Sequence, residues 1–320
     1  MTIALAHSRG WLDFDEKVAA YWPEFAQEGK GNVTVRQLLA HQAGLPVIDE
    51  PLTPELLADF DALAAVLAKQ VPAWEPGTKH GYHAISLGFY EGELLRRVDP
   101  RHRSLGRFFQ EEIAEPLGME FYIGTPREIP DSRIARMLDI SPAKSLLHVG
   151  DMPARFVFAI LNPKSVTTRS FMNPRVRVGS DFARPPMRYL EVPASNGIGQ
   201  VRAIARAYGV FASGGEELGI REETMRCPCE PDSPPAPGCF DEVMKMEIHF
   251  SLGYWKPYPD FPFGSSEKAF GHPGLGGSFG YADPDTGIGY AYAMTRMGYE
   301  TRSENPREKA LRDAVHGCLK

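Results

Sequence analysis

The order of patterned segments predicts an α/β fold, an antiparallel sheet flanked by helices with a mainly helical lobe against one edge. Three observations carry this. Helical periodicity dominates the first two thirds of the chain, strand-patterned residues gather from Ile248 onward, and a charged amphipathic segment, Asn305 to Leu319, closes the sequence. No internal repeat is present. The reading is one domain over residues 1–320, with the lobe at 30–215 and the strands and last helix at 240–320.

Taken in order, Met1 to Ser8 followed by Arg9-Gly10 reads as the last turns of a helix closed by glycine. Leu12 to Phe25 reads as a short helix and an extended arm. Thr34 is a plausible N-cap for a helix over Val33 to Leu39 that stops before Gly44-Leu45-Pro46. Thr53 caps a helix from Pro54 to Gln70, with Leu56, Leu57, Phe60, Leu63, Val66 and Leu67 at helical spacing. A turn at Trp74 to Thr78 precedes helices at Ile85 to Val98 and Leu105 to Ile113. Pro126 to Pro193 is irregular and rich in Pro and Arg, Gly197 to Ser213 is helical, and Pro228 to Gly238 is a loop. Strands are expected near Ile248, at Ser278 to Ala282 and at Ile288 to Arg296.

Composition bounds the function. The chain has 320 residues, 43% apolar and 24% charged, which is ordinary for a soluble globular protein. A net charge of −6 argues against a nucleic-acid partner. No apolar run approaches the ~18 residues needed to span a bilayer, so no membrane partner is expected. The N-terminus lacks a basic n-region and a cleavage pattern, so the expected location is cytoplasmic. Cys227, Cys229 and Cys239 offer C-x-C, one distant Cys and no fixed fourth ligand; they read as free thiols and no metal is expected.

The stretch most suited to chemistry is Phe270 to Tyr292. Gly271, Gly274, Gly276, Gly277 and Gly280 crowd its first half, around His272 and Ser278. Glycine permits close backbone approach to a ligand, so this reads as the wall of a site. His272 can polarise a substrate or assist proton transfer, and N–H groups after Gly274 can stabilise an oxyanion. Gly276-Gly277-Ser278-Phe279-Gly280 matches G-x-S-x-G, but the nucleophile elbow needs strand–turn–helix around its Ser. Here the residues after Ser278 lead to Asp283-Pro284-Asp285-Thr286-Gly287, a turn, and another strand, so Ser278 reads as lining a hairpin. Ser141-Pro142-Ala143-Lys144 and Ser265-Ser266-Glu267-Lys268 match Ser-x-x-Lys, where a helix would set Lys one turn from Ser; both lie in loop-like contexts. Tyr82, before a helix, is a base only if nearby cations lower its pKa; otherwise it packs. His41 reads as structural. Arg169, Arg175, Arg177, Arg184 and Arg188 read as solvated surface.

These segments together resemble the serine β-lactamase-like superfamily, in particular the class C β-lactamase-related esterases, the family VIII carboxylesterases. VTVRQLLAHQAGLP (33–46) is similar to the segment after the active-site helix, and WEPGTKHGYHAISLG (74–88) to the segment with the Tyr motif. FFQEEIAEPLGMEFYIG (108–124) and PASNGIGQVRAIARAYGVFASGG (193–215) resemble later helices, and Phe270 to Pro284 the strand with the third motif. The resemblance implies a β-lactamase/penicillin-binding-protein-like fold and a hydrolase acting on a small-molecule ester or amide through an acyl-serine, with no cofactor. It makes Tyr82 the base or proton relay of Tyr-x-Asn, with Ala84 in place of Asn. That departure removes an amide donor and favours an esterase. It sets His272-Pro273-Gly274 where Lys-Thr-Gly usually stands, with Gly274 and the Leu275 N–H on the oxyanion side. It also puts the Ser-x-x-Lys, and the first strands of the sheet, upstream of Met1. The expectation is therefore a chain lacking its nucleophile and inactive alone, with an unpaired sheet edge and marginal stability. The alternative is a non-catalytic binding protein on the same fold.

Overall fold

A computed structural model describes residues 1–141, 150, 152–177, 179–299 and 305–319. The sheet is antiparallel. Strands β3 (Phe270–Pro273), β4 (Phe279–Asp283) and β5 (Ile288–Tyr292) lie in that order, with His272 opposite Gly280 and Tyr281 opposite Tyr290. Trp255 extends the ladder past β3, exchanging hydrogen bonds with Gly271 at 2.8 and 3.1 Å. A separate pair, β1 (Phe121–Ile123) with β2 (Gly197–Gly199), ties two distant parts of the lobe.

Alternation along the strands sorts the two faces. Helix Val201–Ala212 covers the face carrying Gly280 and Gly289. Helix Pro306–Gly317 covers the face carrying Phe279, Tyr281 and Tyr290: Tyr281 Oη and His316 Nε2 are 2.8 Å apart, and Tyr290 Oη donates to Glu308 O at 3.4 Å. Arg312 is buried there over the Phe279 ring, paired with Glu308 at 3.0 Å. On the opposite face the helix comes unusually close, because both contacting residues are glycines. A Cβ on Gly289 would lie 2.0 Å from Gly209 N and 2.3 Å from Ala205 O. On β5, among the described residues, no strand pairs the edge away from β4.

Local signals explain several helix ends. Gly10 (φ +72°) closes Thr2–Ser8: Gly10 N donates to His7 O at 2.8 Å and Trp11 N to Ala6 O at 3.0 Å, the paired bonds of a Schellman stop. Thr34 and Gln37 form a capping box on Val35–Leu39. Asn305 caps the last helix. Two buried lysines finish other helices: Lys30 Nζ donates to Ala68 O and Gln70 O, and Lys256 Nζ to Pro228 O and Cys229 O. A cation is favoured at these helix C-termini.

Several expected boundaries move. The segment from Pro54 to Gln70 is two helices, Pro54–Ala58 and Phe60–Lys69, because Asp59 turns its carboxylate onto Asp61 N and Ala62 N and starts a second helix. Helix Val201–Ala212 starts later than Gly197, since Gly199 lies against Glu120 O and Phe121 too closely for a side chain and pairs as β2. The residues after Ile248 make isolated bridges, Phe250 with Trp255 and Trp255 with Gly271, without becoming a full strand. Pro228 lies inside helix Glu222–Cys229. Within Pro126 to Pro193 the chain forms helices Ala154–Leu161 and Val166–Phe171. No helix among the described residues is long and apolar enough to cross a membrane.

The Gly209–Gly289 approach yields a direct test. Gly289→Ala should lower stability by about 1–3 kcal/mol or more, since helix and sheet must separate. Gly317→Ala, with open space around it, should change stability by less than ~0.5 kcal/mol. Urea-melt midpoints of the two variants check this; equal effects would contradict the packing account.

Candidate active site

Tyr82 stands on the extended segment before helix Ser86–Val98. That segment is laced to the turn at residues 41–45. Gly81 N donates to His41 O at 3.1 Å, and His83 N donates to His41 Nδ1 at 3.1 Å. Leu45 N donates to His83 Nε2 at 2.9 Å, and Ser86 Oγ donates to Leu45 O at 2.6 Å. The second nitrogen of His83 lies 2.6 Å from Gly81 O. A carbonyl only accepts, so His83 carries its proton on Nδ1 and offers a lone pair at Nε2. Both His83 and His41 are 1% exposed. Burial holds His41 well below the ordinary imidazole range and lowers His83 to about 4.

The turn itself depends on left-handed backbone. Gly44 has φ +71°, and a Cβ there would lie 2.5 Å from Trp74 O. His41 takes φ +61° as well, a conformation that costs a non-glycine residue energy and that its ring and carbonyl bonds to 81–83 hold in place.

This lacing points the Tyr82 ring at β3. The His272 ring centroid is 5.6 Å from that of Tyr82, with Trp255 at 6.1 Å, Phe250 at 6.4 Å and Phe171 at 6.4 Å. The structure thus brings Tyr82 and His272 together across about 190 residues of sequence. His272 Nδ1 donates to Pro273 O at 2.8 Å, leaving Nε2 as an acceptor, and burial lowers the ring to about 4. It is neutral near pH 7, so its Nε2 accepts a hydrogen bond where a lysine would donate one. Burial, and next the Asp241 charge, push the Tyr82 phenol up, and no described cation sits beside it to lower it.

Gly274 N donates to Ser278 O at 2.7 Å, which closes the β3–β4 hairpin. Leu275 lies at its tip, 54% exposed. Gly276 (φ +82°) and Gly277 (φ +100°) complete a turn that other residues adopt only under strain. The Ser278 Oγ lies against Gly274, and Ser278 runs directly into β4, so strand–turn–strand surrounds it. Ser265 Oγ donates to Asp283 Oδ1 at 2.9 Å, while Lys268 Nζ pairs with Asp285 at 2.7 Å. Their partners differ, and this pair forms no Ser–Lys dyad. Pro142, Ala143 and Lys144 of the first Ser-x-x-Lys lie outside the described residues. Cys227 and Cys229 donate within their own helix, to Glu223 O and Met225 O. Of the loop arginines, Arg169 pairs with Asp49, while Arg188 is buried and pairs with Asp131 at 2.6 Å.

Sequence reading missed Asp241. It is fully buried, accepts from Val243 N at 2.9 Å and Met244 N at 2.6 Å, and is raised to about 7 by desolvation. Its Oδ2, with His41 Nε2, His80 Nε2 and Trp255 Nε1, has no protein hydrogen bond. Buried polar atoms are ordinarily satisfied, so this concentration around Tyr82 and Phe250 marks the region as special. Asp241 carries no local motif; only the fold sets it beside Tyr82.

A family profile described as Beta-lactamase matches residues 1–314. The chain belongs to the beta-lactamase family. Among the family's curated members it is 33% identical, over 304 residues, to "Esterase/beta-lactamase LipL" of Mycobacterium tuberculosis (strain ATCC 25618 / H37Rv); the alignment spans 93% of this chain and 67% of that protein. Its fold is similar to that of a family VIII carboxylesterase crystal structure, with TM-score 0.84 and 34% identity, covering 99% of this chain and 79% of the other. A penicillin-binding protein homolog from Caulobacter crescentus matches with TM-score 0.76 and 30% identity, covering 99% of this chain and 79% of that one. The expected α/β, β-lactamase/penicillin-binding-protein-like fold is therefore the fold of this family.

The His83 clamp has a pH signature. Its imidazole is held at about 4 when folded against 6.5 when free, so the unfolded chain binds the extra proton first. The clamp's contribution is complete above pH 6.5 and is lost as pH falls toward 4. His83→Gln should cost about 1–3 kcal/mol at pH 7 by orphaning a buried group. That deficit should shrink between pH 6.5 and pH 4, whereas Asp241, which titrates the opposite way, is common to both proteins. Urea-melt midpoints across that range check this, and a deficit independent of pH would contradict it.

Proposed function

We propose that this chain supplies one wall of a serine-hydrolase site that cleaves carboxylic esters of small molecules through an acyl-serine. The carrying observation is the convergence of Tyr82 and His272, from segments 190 residues apart, in a chain of the beta-lactamase family. The similarity to a family VIII carboxylesterase supports the ester over the lactam, while LipL, named as both esterase and beta-lactamase, is compatible with either. Ala84, which brings no side-chain amide to the site, also supports the ester.

In this reading Tyr82 relays the proton from the attacking serine to the departing alkoxide. The Leu275 N–H, at the hairpin tip beside Gly274, donates to the oxyanion. His272 Nε2, a neutral acceptor, steadies the Tyr82 phenol or the leaving alcohol. The phenol is pushed up as it stands, so the relay needs a cation next to it. A Ser-x-x-Lys on a segment before Met1 brings both nucleophile and cation. The bonding of Ser265 and Lys268 to separate carboxylates, and the hairpin around Ser278, support a nucleophile from elsewhere. The location proposed is cytoplasmic.

Protein extended upstream through an in-frame Ser-x-x-Lys should hydrolyse p-nitrophenyl butyrate, and Tyr82→Phe should slow it by at least ~10-fold. Residues 1–320 alone should take no label from a fluorophosphonate. Unchanged rates in Tyr82→Phe would remove Tyr82 from the mechanism, and labelling of Ser141, Ser265 or Ser278 would relocate the nucleophile. An extended protein with no esterase activity would favour the non-catalytic reading.

A further inference from the structure

The chain from Cys239 to His249 doubles back on itself. Phe240 pairs with Glu247, Ile248 N donates to Cys239 O at 2.9 Å, and Asp241 N donates to Met246 O at 2.8 Å. This hairpin brings a thiol, a carboxylate and an imidazole to one place. Cys239 Sγ, a Glu247 carboxylate oxygen and a His249 ring nitrogen lie within 4.8 Å of one another. We propose that Cys239, Glu247 and His249 bind one divalent transition-metal ion of the zinc class.

The donor set fits that class. Zinc accepts thiolate sulfur at ~2.3 Å, imidazole nitrogen at ~2.0–2.1 Å and carboxylate oxygen at ~2.0–2.2 Å, usually four-coordinate. Donors arranged that way are separated by roughly 3–4 Å, so those seen here need only small side-chain rotations. A hard ion such as magnesium would not select a thiol. His249 Nε2 already lies 2.9 Å from Glu247 Oε1, so a metal would replace that contact with two bonds to itself. The imidazole plane is set by stacking on Tyr258, with centroids 5.2 Å apart and planes at 11°. Cys239 is half-buried, and Glu247 is exposed. The ion therefore has a route in, and solvent supplies the fourth position. Binding a dication releases the Cys239 proton, since the thiolate is the ligand. Burial and then the Glu247 charge raise the Cys239 thiol, whereas the charge of a bound dication favours the thiolate.

The site is distinct from the ester wall but braced against it. Glu242 N donates to His80 O at 3.0 Å, and His80, two residues before Tyr82, bridges in parallel to Asp241. Bound metal would close the open end of the hairpin that supports the Tyr82 segment. It acts as a clamp and takes no part in the chemistry.

Cobalt(II) reports the site directly, because thiolate ligation produces a near-ultraviolet charge-transfer band. Titrating the reduced 320-residue chain with cobalt chloride should produce that band with a one-to-one endpoint, and zinc should abolish it. Cys239→Ser should remove the band, and His249→Gln should weaken cobalt binding at least ~10-fold. Cys227→Ser/Cys229→Ser should retain both band and affinity. Circular dichroism of each variant without metal separates loss of ligand from loss of fold. Absence of the band at millimolar cobalt, or its survival in Cys239→Ser, would overturn the proposal.

Discussion

The structure around the candidate site depends on one neutral imidazole. His83 donates from Nδ1 to Gly81 O and accepts at Nε2 from Leu45 N, both in surroundings that exclude water. Only the uncharged ring with that tautomer satisfies both partners. The bonds from His83 N to His41 Nδ1 and from Ser86 Oγ to Leu45 O run beside it. Together they join two turns that the sequence separates by about 40 residues, and Tyr82 stands in the middle of the join. Its ring direction is a consequence of backbone fixed on both sides. The proton-relay role proposed for Tyr82 therefore rests on its two neighbouring histidines as much as on the phenol.

The opposite wall is fixed by a different constraint. The β3–β4 hairpin sits in a sheet whose position is set by helices on both faces, one approaching through Gly209 and Gly289, the other anchored by Tyr281, Tyr290 and Arg312. Trp255 bonds to Gly271 from the β3 edge, so β3 has partners on both sides. His272 therefore projects from a strand with little freedom to move. The distance between Tyr82 and His272 is set by how the lobe docks on the sheet, through Phe250, Trp255 and Phe171, and not by contact between the two rings alone.

Signals that act within a few residues were legible. The glycine stop at Gly10 and the Thr34 and Thr53 caps each satisfy backbone groups within about one turn, and each stands where the sequence reading puts it. The hairpin context that disqualified Ser278 as an elbow was legible for the same reason. Features made by distant partners were not. β2 is a strand because Phe121 lies against Gly199, and nothing near Gly197 announces it. Asp241 and His83 depend on tertiary placement, and Cys239 meets His249 through a hairpin that no motif marks, whereas spacing groups Cys239 with Cys227 and Cys229. The overall class was readable because ordered segment resemblances span most of the chain, whereas the protonation state of His272 follows from burial, which a sequence does not display.

The central claim is that the surface between Tyr82 and the Leu275 hairpin tip receives the tetrahedral intermediate. A crystal structure of the upstream-extended protein inhibited by an alkyl phosphonate ester tests it most directly. The account predicts a phosphonyl oxygen within hydrogen-bond distance of Leu275 N, with the Tyr82 phenol facing the ester oxygen. Phosphorus attached to Ser265 or Ser278, or seated away from Tyr82, would contradict it.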